Sequence, residues 1–349
     1  MAYRALAYVL RLLLVSILWT TGLVGTLLAD TLVADEAAPI QAEANAGPKP
    51  VPRRPTEQQL ELVQAHRLQW PGNFQPSGLT WCRGRLLTLS DRHDLEIQAL
   101  DLENPEQPLR RYLELERIPE PPPLHSPVAI LRQMILTVFH KQYDWEGITC
   151  DDKHNLYLAS ESFSAVLKVP LQGDSEWITL APHEAIQHHK LLMGENTGIE
   201  GVQWLPGNQL LLAAESRPVG LIRCQIDGAL CNPLQVVVLS EDKTPATFRA
   251  DDLSGLSRDG DRLYTLERYL SRVCRRNPSD FRIEQCVRFR TTEHNPRFAH
   301  AKVRHGQAEG LLIQGERIFI IIDNNGRSLV AEPDSTDTWL FEFKRPPEF

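Results

Sequence analysis

Five segments of this chain place a serine or glutamate directly before a glycine, then an acid a nearly fixed distance later. They are "PSGLTWCRGRLLTLSDRHD" from Pro76, "WEGITCDDKHNLYLASESFS" from Trp145 and "IEGVQWLPGNQLLLAAESRP" from Ile199, then "LSGLSRDGDRLYTLERYL" from Leu253 and "AEGLLIQGERIFIIIDNNG" from Ala308. From the glycine to the second acid the spacing is 13, 14, 14, 12 and 13 residues. The inner position of the pattern is Ser77, Glu146, Glu200, Ser254 and Glu309; the outer acid is Asp91, Glu161, Glu215, Glu267 and Asp323. The acids bracket apolar runs that read as buried, and a buried carboxylate without a partner is costly. Gathered carboxylates repel unless a proton, a cation or hydrogen-bond donors stand among them. Oxygen ligands of this kind suit Ca²⁺, with Mg²⁺ as the other candidate. Glu146, Glu200 and Glu309 are the metal ligands expected. Hydrogen bonding that staples neighbouring units together, or proton transfer, are the other uses open to them.

Arginines sit beside the outer acids: Arg92, Arg217, Arg268 and, four residues after Asp323, Arg327. A planar guanidinium suits phosphate or carboxylate, so these four are expected to hold an anionic ligand beside the metal. The plainer alternative is a set of surface ion pairs. No Gly-x-Ser-x-Gly elbow and no phosphate-cradling loop with its lysine occurs, which disfavours an ordinary serine hydrolase or a P-loop enzyme. Histidines at 183, 188 and 189, and at 294, 300 and 305, fall in polar loops. They read as solvated, with one of them a candidate general base.

The elements that must position these residues follow from the repetition. After each copy come a third and often a fourth strand-like run, such as "AVLKVPL" and "EWITLAP" after Glu161. Four short strands per unit of about 50 residues is the pattern of a β-propeller blade. The fold expected is all-β: five four-stranded blades, or six if residues 116–143 hide another. The last copy ends on its third strand, "TWLFEF", and "LVQAHRLQW" (residues 62–70) supplies the fourth, closing the ring with both ends of the chain. In a blade, the start of the first strand and the end of the second lie at the same end of the ring. Inner and outer acids should therefore share one channel mouth, overhung by the long connections 116–143, 181–197 and 291–307.

The 349-residue chain carries a formal charge of −8. That argues against a general nucleic-acid binder, which needs a basic surface. Arg4 and Arg11 precede or flank the apolar run "LLLVSILWTTGLVGTLLA", residues 12–29. Residues 1–34 read as a secretory signal or an uncleaved membrane anchor, residues 35–58 as a disordered linker rich in Pro and Ala, and 59–349 as the propeller. The protein is then exported, periplasmic or secreted, with a membrane tether only if the anchor stays. It is expected to be a monomer. In such a compartment the six cysteines should pair. Cys224 and Cys231 flank "QIDGAL", where an Asp227-Gly228 turn would set them directly opposite; Cys274 and Cys286 flank a longer hairpin, leaving Cys82 with Cys150.

The recurring "EGI", "EGV", "SGL" and "EGL", with "LASE", "LAAES", "TLER" or "IIIDN" after them, resemble the exported "esterase-like activity of phytase" family, and more distantly the SdiA-regulated periplasmic propellers. The resemblance spans roughly residues 66–345 and is strongest at "YDWEGITCD", "TGIEGVQWLPGNQLLLAAE", "ADDLSGLS" and "GQAEGLLI". It implies a calcium-dependent propeller that hydrolyses phosphoesters or other esters. Likeness to lactonase-type propellers implies metal-binding glutamates at Glu146, Glu200 and Glu309. Ser77 and Ser254 depart from the Glu-Gly pattern, and the Lys- and Asp-rich pattern of propeller phytases is missing, which speaks against phytate as substrate. The alternative is a non-catalytic propeller that binds a ligand or protein through a structural metal.

Overall fold

The computed structural model describes residues 57–349 except 105, 124–142, 193–197, 216–217, 241–251 and 304–305. The signal or anchor, nearly all of the linker, Arg217, His305 and most of the segment proposed as a sixth blade lie outside the described residues.

Two strands precede the first blade, β1 (Gln58–Gln59) and β2 (Glu61–Leu68). Blade 1 is β3 (Pro76–Cys82), β4 (Arg85–Ser90), β5 (Glu96–Leu100) and β6 (Leu109–Glu114). Blade 2 is β7 (Trp145–Cys150), β8 (Leu156–Ser160), β9 (Ala165–Val169) and β10 (Glu176–Leu180). Blade 3 is β11 (Ile199–Leu205), β12 (Gln209–Ala214), β13 (Val219–Asp227) and β14 (Leu230–Ser240). Blade 4 is β15 (Gly255–Asp259), β16 (Arg262–Glu267), β17 (Arg272–Arg276) and β18 (Ile283–Arg288). Blade 5 is β19 (Ala308–Gln314), β20 (Arg317–Ile322) and β21 (Thr338–Lys344), completed by β2 pairing antiparallel with β21. The ring therefore closes with strands from both ends of the chain, as the repeat count requires.

The apolar runs are continuous because the second strand of each blade buries both faces, one against each neighbouring blade. Along β20, Ile318, Ile320 and Ile322 pack toward blade 4 while Phe319 and Ile321 pack toward blade 1. Along β12, Leu210 and Leu212 face blade 2, and Leu211 and Ala213 face blade 4. Apolar clusters fill all five blade interfaces, and the inner strands touch in the closed order β3, β7, β11, β15, β19, β3. Glycine makes that closure possible. A Cβ on Gly78 would stand 2.9 Å from the Ile148 nitrogen, and one on Gly310 would stand 2.7 Å from the Gly78 carbonyl carbon. No side chain fits between backbones that close.

Two expectations need correction. Glu57 and Gln58 belong to the fold: Gln58 and Gln59 run parallel to β18, and Glu57 pairs with Arg272 and Arg288. All three disulfides form, Cys82–Cys150, Cys224–Cys231 and Cys274–Cys286. The register at the second differs from that expected. Asp227 pairs with Leu230, so the turn is Gly228-Ala229; Cys224 faces Pro233, Cys231 faces Ile226, and the bridge runs diagonally. Gly228 has φ +57°, and a two-residue turn with glycine first is the arrangement that positive angle selects.

Candidate functional site

The inner strands of blades 2, 3 and 5 each open with a β-bulge, and the extra residue is the glutamate itself. Trp145 and Gly147 face consecutive partners on β8 and leave Glu146 unpaired; Glu200 and Glu309 hold the same position in blades 3 and 5. A bulge re-aims one side chain without ending the strand. Blade 1 has the bulge at Gly78, and blade 4 has none. The serines standing in for glutamate there act as staples. Ser77 donates its hydroxyl proton to the Trp145 carbonyl, and Ser254 donates to the Ala308 carbonyl at 2.7 Å. Each accepting residue directly precedes the next blade's glutamate.

The acids meet at one mouth of the ring. Burial, followed by the charges of Glu200, Asp144, Glu161 and Asp91, pushes the half-buried Glu146 well above the carboxylate range. Glu200 is pushed the same way by burial, then by Glu215, Glu161 and Glu309 against the opposing Arg268. Glu309 is raised to about 8 by burial, opposed by Arg268 and reinforced by Asp323. Asp91, Glu161, Glu215 and Asp323 thus stand with the inner glutamates. Glu267 does not: its carboxylate turns to Arg272 and to the buried Arg276.

The mouth has two unlike halves. At the head of blade 2, Asp144, Glu146 and Glu161 bring one carboxylate oxygen each within 4.8 Å of one another. Asp144 and Glu161 are buried there, and Glu146 is half-buried. Glu200, only 5% exposed, stands beside them. Carboxylate oxygens this close together are what a hard divalent cation would gather.

The opposite half is held by Arg268. Its Nε donates to Asp252 at 2.9 Å, while Nη1 and Nη2 donate to Glu309 and Glu215. Burial works against its charge, but Glu309, Asp252, Glu215 and Glu200 outweigh that and hold its pKa well above the ordinary value. Asp252 is raised to about 6 by burial, opposed by Arg268 and by the Tyr269 N–H. Arg268 was expected to hold an external anion; its three nitrogens are committed to protein carboxylates. Arg92 donates to Gln75 at 2.7 Å near Asp91, and Arg327 is exposed.

Asp144 and Asp252 were missed by the repeat pattern. The signal was present, since each stands two residues before the inner position of its blade, in "DWEG" and "DLSG". His300 is buried, with Nδ1 against Gln307 and Nε2 against the Asp337 carbonyl, and burial lowers its pKa. It orders the approach to Glu309 and is not a solvated loop residue.

The family model described as SdiA-regulated matches residues 124–274, a span running from before blade 2 into blade 4. This is the more distant of the two families that the motifs resemble. A search of curated proteins finds no match. Among solved structures, the glutaminyl cyclase of Myxococcus xanthus is similar with a TM-score of 0.49 and 14% identity, covering 83% of this chain and 98% of that one. The PQQ-bound aldose sugar dehydrogenase of Streptomyces coelicolor gives 0.44 and 11%, covering 83% and 99%. A structure described as a putative gluconolactonase gives 0.43 and 12%, covering 82% and 95%. Similarity at this level concerns chain topology and not chemistry.

Proposed function

We propose that this protein is an exported, divalent-cation-dependent propeller that hydrolyses a small ester, a phosphoester before others, at the carboxylate mouth of its ring. The observation that carries the reading is the set Asp144, Glu146 and Glu161, whose carboxylate oxygens lie within 4.8 Å of one another at the mouth, with Glu200 close by. These would hold Ca²⁺, or Mg²⁺, through oxygen. A bound cation would supply Lewis-acid polarisation of the ester. It would also take over the anion-holding role first given to the arginines, because Arg268 is occupied. Glu200 is the candidate general base. Burial raises its proton affinity, so its ionised form would accept the proton of an attacking water. The three disulfides support export, since such bonds persist in oxidising compartments. Ester hydrolysis is what the resemblance to the phytase-like esterases implies.

The engagement of Arg268 by protein carboxylates favours one second reading, a non-catalytic binder with a structural cation. A panel of chromogenic carboxylic esters and phosphoesters, run with calcium and with chelator, separates the two. Calcium-dependent turnover that Glu200→Gln abolishes while calcium binding persists supports the hydrolase. Absence of turnover throughout leaves the binder.

A further inference from the structure

We infer that Arg268 is a built-in counter-cation: its guanidinium fills the place of a divalent cation in one half of the mouth and confines metal to the other half. The inference depends on the proposed function only for where the first cation sits.

The geometry around Arg268 is that of a cation site. Three carboxylates from separate segments converge on it: Glu215 follows β12, Asp252 precedes blade 4, and Glu309 is the bulge residue of β19. Each gives one oxygen to a different nitrogen. An arginine fork commonly takes a single carboxylate through two parallel bonds. Single oxygens gathered from three segments are instead what a hard metal ion collects. The guanidinium also leaves oxygen over, because Glu309 Oε2 is buried and has no hydrogen-bond partner. Its own backbone is fixed in place: the Arg268 carbonyl accepts the Ser271 N–H, and a Cβ on Gly306 would stand 2.1 Å from that carbonyl oxygen.

The repeat shows how the arrangement arises. Blade 4 has Ser254 where three other blades have glutamate, and Glu267, its outer acid, turns away to Arg272 and Arg276. The residue after Glu267 then enters the mouth as a cation. Blade 4 thus contributes a positive charge where blade 2 contributes three negative ones. One half of the mouth carries its cation within the chain.

The test counts calcium ions per chain by isothermal titration with CaCl₂ and by elemental analysis after dialysis. Wild type is compared with Arg268→Met, Arg268→Gln and Arg268→Lys. Arg268→Met and Arg268→Gln should each bind one Ca²⁺ more than wild type, at about millimolar affinity or tighter. The added site should vanish when Glu309→Gln is combined with either. Arg268→Lys keeps a positive charge in place and should match the wild-type count. Equal counts in wild type, Arg268→Met and Arg268→Gln, or an added site in Arg268→Lys, overturn the inference. If Arg268→Met folds only in calcium and not in chelator, the inference is supported. If both neutral variants fail to fold even in calcium, it is overturned, because calcium should replace the lost charge. The difference between variants is separate from the wild-type count. A wild type without calcium alongside an Arg268→Met that binds one ion would refute the proposed metal site and leave this inference standing.

Discussion

Without metal, the protein should lose stability as pH rises through neutrality, and calcium should lessen the trend. Glu309 is raised from 4.5 to about 8 in the fold. A carboxyl raised in this way holds a proton that the unfolded chain has already released. Its contribution is fully present below about pH 4.5 and is lost as pH climbs to about 8. At ~1.36 kcal/mol per pH unit, the whole window corresponds to ~5 kcal/mol for this one group. Three histidines titrate with the opposite sign at the lower end. Burial lowers the pKa of His93, His294 and His300, so their effect raises stability as pH approaches about 6.5 and then ends. The clean window is therefore pH 6.5 to 8, where Glu309 alone accounts for ~2 kcal/mol. Glu146 and Glu200 are raised as well and act in the same direction. For a domain of this size ~2 kcal/mol is roughly a 5 °C fall in melting temperature. The assay is thermal unfolding followed by circular dichroism from pH 6.5 to 8, in chelator and in calcium. In chelator the midpoint should fall by about that amount or more. In calcium the fall should be smaller, because an ion at the head of blade 2 would replace the proton of Glu146 there while Glu309, held on Arg268, still titrates, and Glu309→Gln should flatten the chelator curve in part. A midpoint in chelator that is constant or rises over this window would refute the reasoning.

Replacing Cys82 and Cys150 with alanine should cost about twice as much stability as replacing Cys224 and Cys231, ~4 against ~2 kcal/mol by loop entropy, because their separations are 68 and 7 residues. Urea unfolding of the two double variants measures this, and equal costs would count against it. Gly310→Ala should destabilise by about 2–3 kcal/mol, since the new Cβ would stand 2.6 Å from Ile321 Cγ2 and 2.7 Å from the Gly78 backbone; a neutral result in urea would mean that the inner strands are less tightly closed. A chain beginning at Gln69 should fail to melt cooperatively, because it lacks β2 and bares the edge of β21, whereas one beginning at Glu57 should melt as the full chain does.

Much of the fold was legible because closure repeats one unit. The spacing of glycine and acid, the polar turns and the missing last strand all report on the same strand order, and each copy reinforces the others. The strand register at Cys224 was less legible, since "IDGAL" accommodates a turn at either Asp227-Gly228 or Gly228-Ala229, and packing of β13 on β14 selects the second. At the site, the repeat placed Glu146, Glu200 and Glu309 at one mouth, and the bulges show how they are aimed inward. It did not reveal which acids stand together. That depends on the bend of each approach segment, which brings Asp144 beside Glu146 and Asp252 under Arg268. Glu267 shows the limit of reading by equivalence. It holds the outer-acid position, yet two arginines of its own blade lie nearer than the ring axis and take its carboxylate.

The proposed function requires a divalent cation at the head of blade 2. Calcium titration by calorimetry at pH 7.5, on wild type, Asp144→Asn, Glu161→Gln and Glu309→Gln, addresses it most directly. Wild type should bind one Ca²⁺ per chain, Asp144→Asn and Glu161→Gln should each lose that binding, and Glu309→Gln, whose carboxylate lies on Arg268, should retain it. A wild type that binds no calcium up to about millimolar concentration, or binding unchanged in both Asp144→Asn and Glu161→Gln, would contradict the claim.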